Sequence, residues 1–265
     1  MKNRPSWAVL IAFIASACSP YNASLKELFE FYAASAAAAT WAELNHLVQT
    51  APDGTVILLS GDMPATGPGI VVPPGKTITL AAPQSTTITR QAGLSGPLFE
   101  VSPGAALILG GSHSQNLVID GNKQAGVTAV GPLVTINGTL ILHSGAGLQN
   151  NRNGDSGNFP GGGALCFGTL IMNPGSHISQ NERLVQYDEA GGGGVGVVGN
   201  GRFLMKGGEV RDNKAERLGS VRGGGVYVGG GGQFTMEGGL VTGNQVVTST
   251  SGQVSGGGVA FVGNG

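Results

Sequence analysis

Two cysteines in 265 residues are too few for a disulfide framework, so packing and hydrogen bonding must hold this chain together. Charge is scarce too. Asp, Glu, Lys and Arg make up 11% of the chain and nearly cancel, to a net charge of −1. That balance gives no electrostatic basis for nucleic acid as a partner. Aromatic residues are only 6%. No apolar run of about 18 residues follows the N-terminal segment, which excludes an ordinary membrane-spanning helix from the rest of the chain. Glycine is the excess, at 49 residues. It alternates with short apolar runs, which points to a folded repeat in place of disorder.

The N-terminus reads as a targeting signal. Lys2 and Arg4 precede an apolar stretch, Trp7–Ala17, that is too short to span a bilayer. It ends Ala15-Ser16-Ala17-Cys18, which resembles a bacterial lipoprotein box, although that motif more often has Leu where Ala15 stands. The resemblance implies a signal peptide over residues 1–17 and a lipid on Cys18 that ties the exported protein to the cell surface or outer membrane. The same small residues also suit ordinary signal peptidase, which would leave the protein secreted or periplasmic.

The body of the chain repeats. The glycine clusters ending at Gly163, Gly194, Gly225 and Gly258 are spaced 31, 31 and 33 residues apart. A first short apolar strand starts at Ile70, Leu98, Leu133, Ala164, Val195, Val226 and Val259. A second runs Thr77–Leu80, Ala106–Leu109, Thr139–Leu142, Thr169–Met172, Arg202–Met205 and Gln233–Met236. Its second and fourth residues are large and apolar in every unit, whereas the first and third vary. That is the period-two signature of a strand with one buried face. A third strand carries Ile88, Ile119, Leu148, Ile178, Val210 and Val241. Three residues after these come Gln91 and then Asn122, Asn151, Asn181, Asn213 and Asn244. Asn recurring at one corner of stacked coils predicts a hydrogen-bonded ladder.

Three strands per unit of about 31 residues predict an all-β fold, a single-stranded right-handed parallel β-helix with an N-terminal helical cap. The expected division is a signal peptide over 1–17, a linker and capping helix over 18–54, and a β-helix over 55–265 that is incomplete at its C-terminal end. Thr40-Trp41-Ala42-Glu43 reads as a capping box opening the cap helix, which runs to about Thr50. A second candidate helix covers Ser24–Ala39.

The units Gly223-Gly224-Gly225-Val226-Tyr227-Val228 and Phe234-Thr235-Met236-Glu237-Gly238-Gly239 resemble repeats of bacterial surface β-helix proteins, of the polymorphic outer-membrane-protein-like and autotransporter passenger type, pectin-lyase-like in architecture. Gly162-Gly163-Ala164-Leu165 fits their glycine motif, whereas Phe203 and Phe234 lack the Asn of their F-x-x-N motif. The resemblance spans roughly residues 70–265 and implies an adhesin-like or structural surface protein.

Little in the chain suggests chemistry. Glycosidic hydrolysis needs two carboxyl groups about 5–9.5 Å apart. The outward positions of the second strand, Thr79, Ile108, Ile141, Ile171, Leu204 and Thr235, hold no acid. Asp120 and Asp212 of the third strand are three coils apart, about 14 Å. No catalytic residue, metal site or cofactor is therefore assigned. His46, His113, His143 and His177 read as polar cap and corner residues, Asn151–Asn158 as a turn-rich loop, and Cys166 as a small buried hydrophobe.

The expected functional surface is the variable loop after each Asn: residues 123–130, 152–160, 182–190, 214–222 and 245–255. These carry Arg152, Asp155, Arg183, Asp188, Glu189, Lys214, Arg217 and Arg222. Insertions in a solenoid collect on one edge, which is often the binding edge. The expected partner is a surface ligand, protein or glycan, alongside the membrane reached through Cys18. A polysaccharide-binding or polysaccharide-cleaving role is the alternative.

Overall fold

The computed structural model describes residues 35–112, 114–154, 160–185, 190–217, 221–248 and 252–263. The chain winds as a right-handed parallel β-solenoid of about six turns, with about 31 residues per turn. One sheet (the first face) holds the strands Ile70–Val72, Phe99–Val101, Val134–Ile136, Ala164–Cys166, Val195–Val197, Val226–Gly229 and Val259–Val262. The second face holds Ala36–Ala38, Val56–Leu59, Thr77–Ala81, Ala106–Leu109, Thr139–Leu142, Thr169–Met172, Arg202–Met205 and Gln233–Met236. The third holds Met63–Ala65, Thr86–Arg90, Leu117–Asp120, Ala146–Gln149, His177–Ser179, Glu209–Arg211 and Leu240–Thr242.

The register of the second face follows the sequence periodicity. Thr77, Ala106, Thr139, Thr169, Arg202 and Gln233 are successive cross-strand partners. The alternation therefore stacks like on like. Ile78, Leu107, Leu140, Leu170 and Phe203 form one inward column, and Leu80, Leu109, Leu142, Met172 and Met205 a second. Each side chain so buried contributes about 1.5–3 kcal/mol. No single coil encloses its own apolar side, so each turn depends on the next. The rings of Phe203 and Phe234 stack at 4.9 Å. The third-face column Ile88, Ile119, Leu148, Ile178, Val210 and Val241 is likewise in register. On the first face the expected starts at Leu98 and Leu133 shift by one, because Ile70, Phe99 and Val134 are the actual partners. There the carbonyl of Leu133 accepts both the Leu98 and Phe99 amides, so Leu98 enters the core as an extra residue before the strand.

The top of the column is closed as the capping box indicated. Thr40 accepts the Glu43 amide while the Glu43 carboxylate accepts the Thr40 amide, opening helix α1 over Trp41–Thr50. Trp41, Leu44 and Val48 face the core. The Trp41 indole donates to the Pro68 carbonyl at 3.0 Å and meets the Phe99 ring edge-on at 5.5 Å. At the other end of α1 the Lys76 ammonium donates to the carbonyls of Gln49 and Ala51 at 2.7 Å each, satisfying groups the helix leaves open.

The candidate helix over Ser24–Ala39 is corrected at its C-terminal end. Ala36–Ala38 is a strand pairing with Val56–Leu59 as the topmost member of the second face. An unpaired sheet edge there would leave backbone groups without partners, and this outweighs the helix propensity of alanine. Residues 1–34, with the expected signal peptide and Cys18, lie outside the described residues. Among the described residues no helix is long and apolar enough to cross a membrane. At the bottom edge Leu240 and Phe261 are 57% and 67% exposed.

Candidate functional site

The corner after the third strand is built by asparagine. Asn181 Oδ1 accepts the backbone N–H of Asn151 at 3.1 Å, Asn213 Oδ1 that of Asn181 at 2.9 Å, and Asn244 Oδ1 that of Asn213 at 3.0 Å. Each Nδ2 also donates to a carbonyl of the coil above: Asn181 to Leu148, Asn213 to Ile178 and Asn244 to Val210. The residue before each ladder Asn is left-handed: Asn150, Gln180, Asp212 and Gly243, with φ from 55° to 64°.

Asn122 does not join this ladder. Leu148 precedes the left-handed Asn150 by two residues, but Ile119 precedes Asn122 by three, because Gly121 is interposed. Asn122 therefore takes the left-handed position itself (φ 57°), and its amide donates to the Arg90 carbonyl at 3.2 Å. Gln91 also falls outside the ladder, and the residue turned inward at that corner of its coil is Arg90. Its guanidinium is fully buried and donates to the carbonyls of Gly96 and Pro132. Burial holds its pKa down, to about 10.

The glycine clusters turn out to serve this ladder as well as the turns. In Gly192-Gly193-Gly194 only the first has a positive φ, 74°. A Cβ on Gly194 would lie 2.9 Å from Asn213 Nδ2 and 2.8 Å from the Gly225 carbonyl oxygen. The third glycine is thus the floor on which the Asn amide of the next coil rests.

The segments read as variable loops are more ordered than expected. After the Asn corner, Arg152–Asn153, Glu182–Val185, Lys214–Arg217 and Gln245–Thr248 stack as a fourth parallel ladder. Ala190–Gly191, Val221–Arg222 and Val254–Ser255 return as a fifth, alongside it in the later coils. Together they form a flange on one edge of the column. The first segment differs: Lys123–Ala125 is a single 3-10 turn.

Backbone pairing in the flange forces its side chains into alternation, which changes the reading of the edge charges. Glu182 faces outward between Arg152 Nε at 2.8 Å and Lys123 Nζ at 3.1 Å, with Lys214 Nζ at 3.9 Å. Lys214 also meets Glu216 at 2.7 Å. Burial alone would raise the Glu182 pKa, but the hydrogen bonds from Arg152 and Lys123 outweigh it and hold the carboxyl below its ordinary value. Arg183 is corrected as a binding-edge residue. It faces inward in the column of Asn153 and Ala215, and is fully buried. Arg217 and Arg222 remain half-buried on the flange. Asp155, Asp188 and Glu189 lie outside the described residues.

The outward side of the third face carries a polar row that the sequence reading passed over. Two in-register columns run Val118, Gly147, His177, Glu209, Leu240 and Asp120, Gln149, Ser179, Arg211, Thr242. Asp120 accepts the Gln149 amide at 3.0 Å, the Asn150 amide at 2.9 Å and the Asn122 backbone N–H at 2.7 Å. Gln149 Oε1 in turn lies 3.3 Å from His177 Nε2. Since Gln149 donates its amide to Asp120, the oxygen faces the ring and the His177 proton sits on Nε2. The ring fills the notch above Gly147, where a Cβ would collide with it. Arg211 pairs with Glu209 at 2.9 Å and with Asp212 at 3.0 Å. Burial lowers the His177 pKa and Arg211 lowers it further, against an opposing pull from Glu209.

His177, Glu209 and Arg211 line an open cleft of about 520 Å³ whose floor includes Pro174, Gly208 and Leu240. It is a shallow trough offering both donors and acceptors. Asp120 and Asp212 are both engaged by neighbours on this face. The two-residue alternation of the third strand places these residues on its outward side, and the coil register alone decides which of them touch.

The remaining candidates are placed simply. Cys166 is buried, its thiol raised to about 12 by burial. His143 Nδ1 lies 3.5 Å from Asn173 Nδ2, and His46 is exposed on α1. His113 lies outside the described residues. Among the described residues no three His, Cys, Asp or Glu side chains converge to hold a metal ion. Comparison of the chain with family models, curated proteins and solved structures finds no match.

Proposed function

We infer that the chain is an exported, lipid-anchored surface β-solenoid with an adhesin-like or structural role, acting without catalysis. The observation that carries this reading is the flange. A column stabilised coil by coil repeats the same lateral projection over successive turns, each held to the next by parallel pairing. A rigid edge with its own ladders suits display or spacing, and insertions gathered on one side of a solenoid commonly form its contact surface. The lipoprotein-like Ala15-Ser16-Ala17-Cys18 supports the anchor. Metabolic labelling with a radioactive fatty acid tests it. Label on the wild-type protein and none on Cys18→Ala is expected. Equal label on both, or none on either, would exclude the anchor.

The third-face cleft favours a second reading, a polysaccharide-binding β-helix. The donors and acceptors of His177, Lys206, Glu209 and Arg211 along the cleft suit a hydroxyl-rich ligand. Binding on an array of acidic and neutral glycans, lost in His177→Ala, supports this alternative, and a blank array removes it.

A further inference from the structure

The three faces of the column differ on the outside. The third carries the polar row, and the first carries Glu100, Thr135 and Tyr227 among its outward residues. The second carries an aliphatic stripe. Val56, Thr79, Ile108, Ile141, Ile171 and Leu204 are successive in-register partners, each partly exposed. Parallel sheets are normally covered on both sides, so adjacent rows of Ile, Ile, Ile and Leu on the outer side mark a contact surface. This face lies across the column from the flange, which projects at the corner between the third and first faces.

The two ends of the stripe carry opposite charge. At the lower end Arg202 and Lys206 stand on either side of Leu204, both exposed and neither in an ion pair among the described residues. At the upper end Asp53 and Asp62 flank the strand Val56–Leu59, and both are exposed. One oxygen of each carboxylate is fixed by a backbone N–H, that of Thr77 at 2.6 Å and that of Thr87 at 2.8 Å. The other oxygen of each has no partner among the described residues. Lys76, the other cation near the upper end, is already held by carbonyls of α1.

We propose that two copies of the chain pack second face to second face as an antiparallel dimer. Its two-fold axis runs parallel to the strands, between the rows of Ile108 and Ile141. Row for row, Ile108 then lies on Ile141 of the second copy, Thr79 on Ile171 and Val56 on Leu204. Gly54 is level with Thr77, because Val56 pairs with Thr79, so Arg202 comes against Gly54 and its neighbour Asp53. Lys206 comes against the other end of that row, beyond which stands Asp62. The cations of each copy thus meet the carboxylates of the other. An axis along the column would instead set each row on itself, cation on cation below and carboxylate on carboxylate above, which is repulsive at both ends. The rows from Val56 to Leu204, about 29 Å tall and about 16 Å wide, offer about 1,000 Å² over the two copies, at the small end of specific interfaces. The flanges are left free and point in opposite directions. The dimer is independent of whether the flange binds a ligand or Cys18 carries a lipid.

Sedimentation velocity of the full chain over a concentration series tests this, with Cys18→Ser so that no lipid contributes to association. A reversible monomer–dimer equilibrium is expected. Arg202→Glu sets like charges together at both ends and should weaken the dimer by about tenfold or more. Asp53→Arg should do the same. An equimolar mixture of the two variants should regain the dimer, because both end contacts of the mixed pair again join opposite charges. Ile141→Glu, at the centre, should abolish association and serves as the second variant should Asp53→Arg fail to fold. Thr135→Lys on the first face should leave it unchanged. A chain that stays monomeric into the high micromolar range would overturn the proposal. So would a dimer that Arg202→Glu and Ile141→Glu leave intact, one that Thr135→Lys weakens equally, or one that the mixture of folded variants fails to regain. Binding of the monomer to phosphatidylcholine–phosphatidylglycerol vesicles, lost in Ile141→Glu and with no dimer formed, would assign the face to lipid and overturn it too.

Discussion

Asn213 donates its side-chain amide to Asn244 Oδ1 at 2.9 Å, and the same oxygen accepts the backbone N–H of Asn213 at 3.0 Å. One acceptor thus satisfies two donors of the coil above it, and the Asn181–Asn213 step repeats the arrangement at 3.1 and 2.9 Å, whereas at the Asn151–Asn181 step Asn181 Oδ1 accepts the backbone N–H alone. The corner has no regular strand pairing at this point, so these amides do the work that a ladder does on the faces.

Asn213→Ala should therefore cost about 2–4 kcal/mol, since it strands the buried donors of Asn181 and the Ile178 carbonyl together. Asn122→Gly, which keeps the left-handed backbone at that position unstrained, should cost under about 1 kcal/mol, because it removes only one long bond to the Arg90 carbonyl and the residue lies outside the ladder. Urea denaturation of the two variants checks the contrast. Equal losses would mean that the ladder has no special share in stability.

Gly194→Ala should destabilise by about 1–3 kcal/mol, because its new methyl group would press on Asn213 Nδ2 and on backbone of the next coil. Gly263→Ala, whose Cβ meets nothing within 4 Å, should be neutral to within about 0.5 kcal/mol. Thermal melts of both variants followed by circular dichroism measure the difference.

The flange network gives a pH signature. Glu182 has its folded pKa held below the ordinary 4.5, so its contribution is complete above about that pH and is lost as pH falls through the lower folded value. Glu182→Gln should lower stability by about 1 kcal/mol at pH 7. The gap should narrow as pH falls below 4.5 through the lower folded value, which urea midpoints at pH 7 and pH 3 would show. An unchanged gap at pH 3 would mean that the charge pairs with Arg152 and Lys123 are not its source.

His177 should titrate below its ordinary 6.5, with burial first and Arg211 second as the causes. Arg211→Gln should raise the midpoint and Glu209→Gln should lower it, as read from the imidazole proton resonances. For a histidine depressed in the folded state, the unfolded chain takes up the proton first as pH falls. Stability should accordingly be flat above about pH 6.5 and decline below it, and the decline should shrink in His177→Gln.

Periodicity alone determined the architecture. The apolar second and fourth residues of the second strand, from Ile78 and Leu80 to Phe203 and Met205, establish which side is buried and which rows are partners, because a one-residue slip would turn every one of them to solvent. The capping box at Thr40 and Glu43 was likewise legible, since its geometry depends only on residues three apart. Other features depend on partners distant in the chain, and only the tertiary structure decided them. The inserted Gly121 moves Asn122 off the ladder, a shift of one residue that spacing from Ile119 conceals. Pairing turned the expected loops into a flange, and strand alternation then buried Arg183 while leaving Glu182 to gather Lys123, Arg152 and Lys214. The polar row Asp120–Gln149–His177 joins residues 28 to 29 apart in sequence. Each of its members reads locally as a solvated strand residue, and they meet only because the coil returns to the same face at every turn.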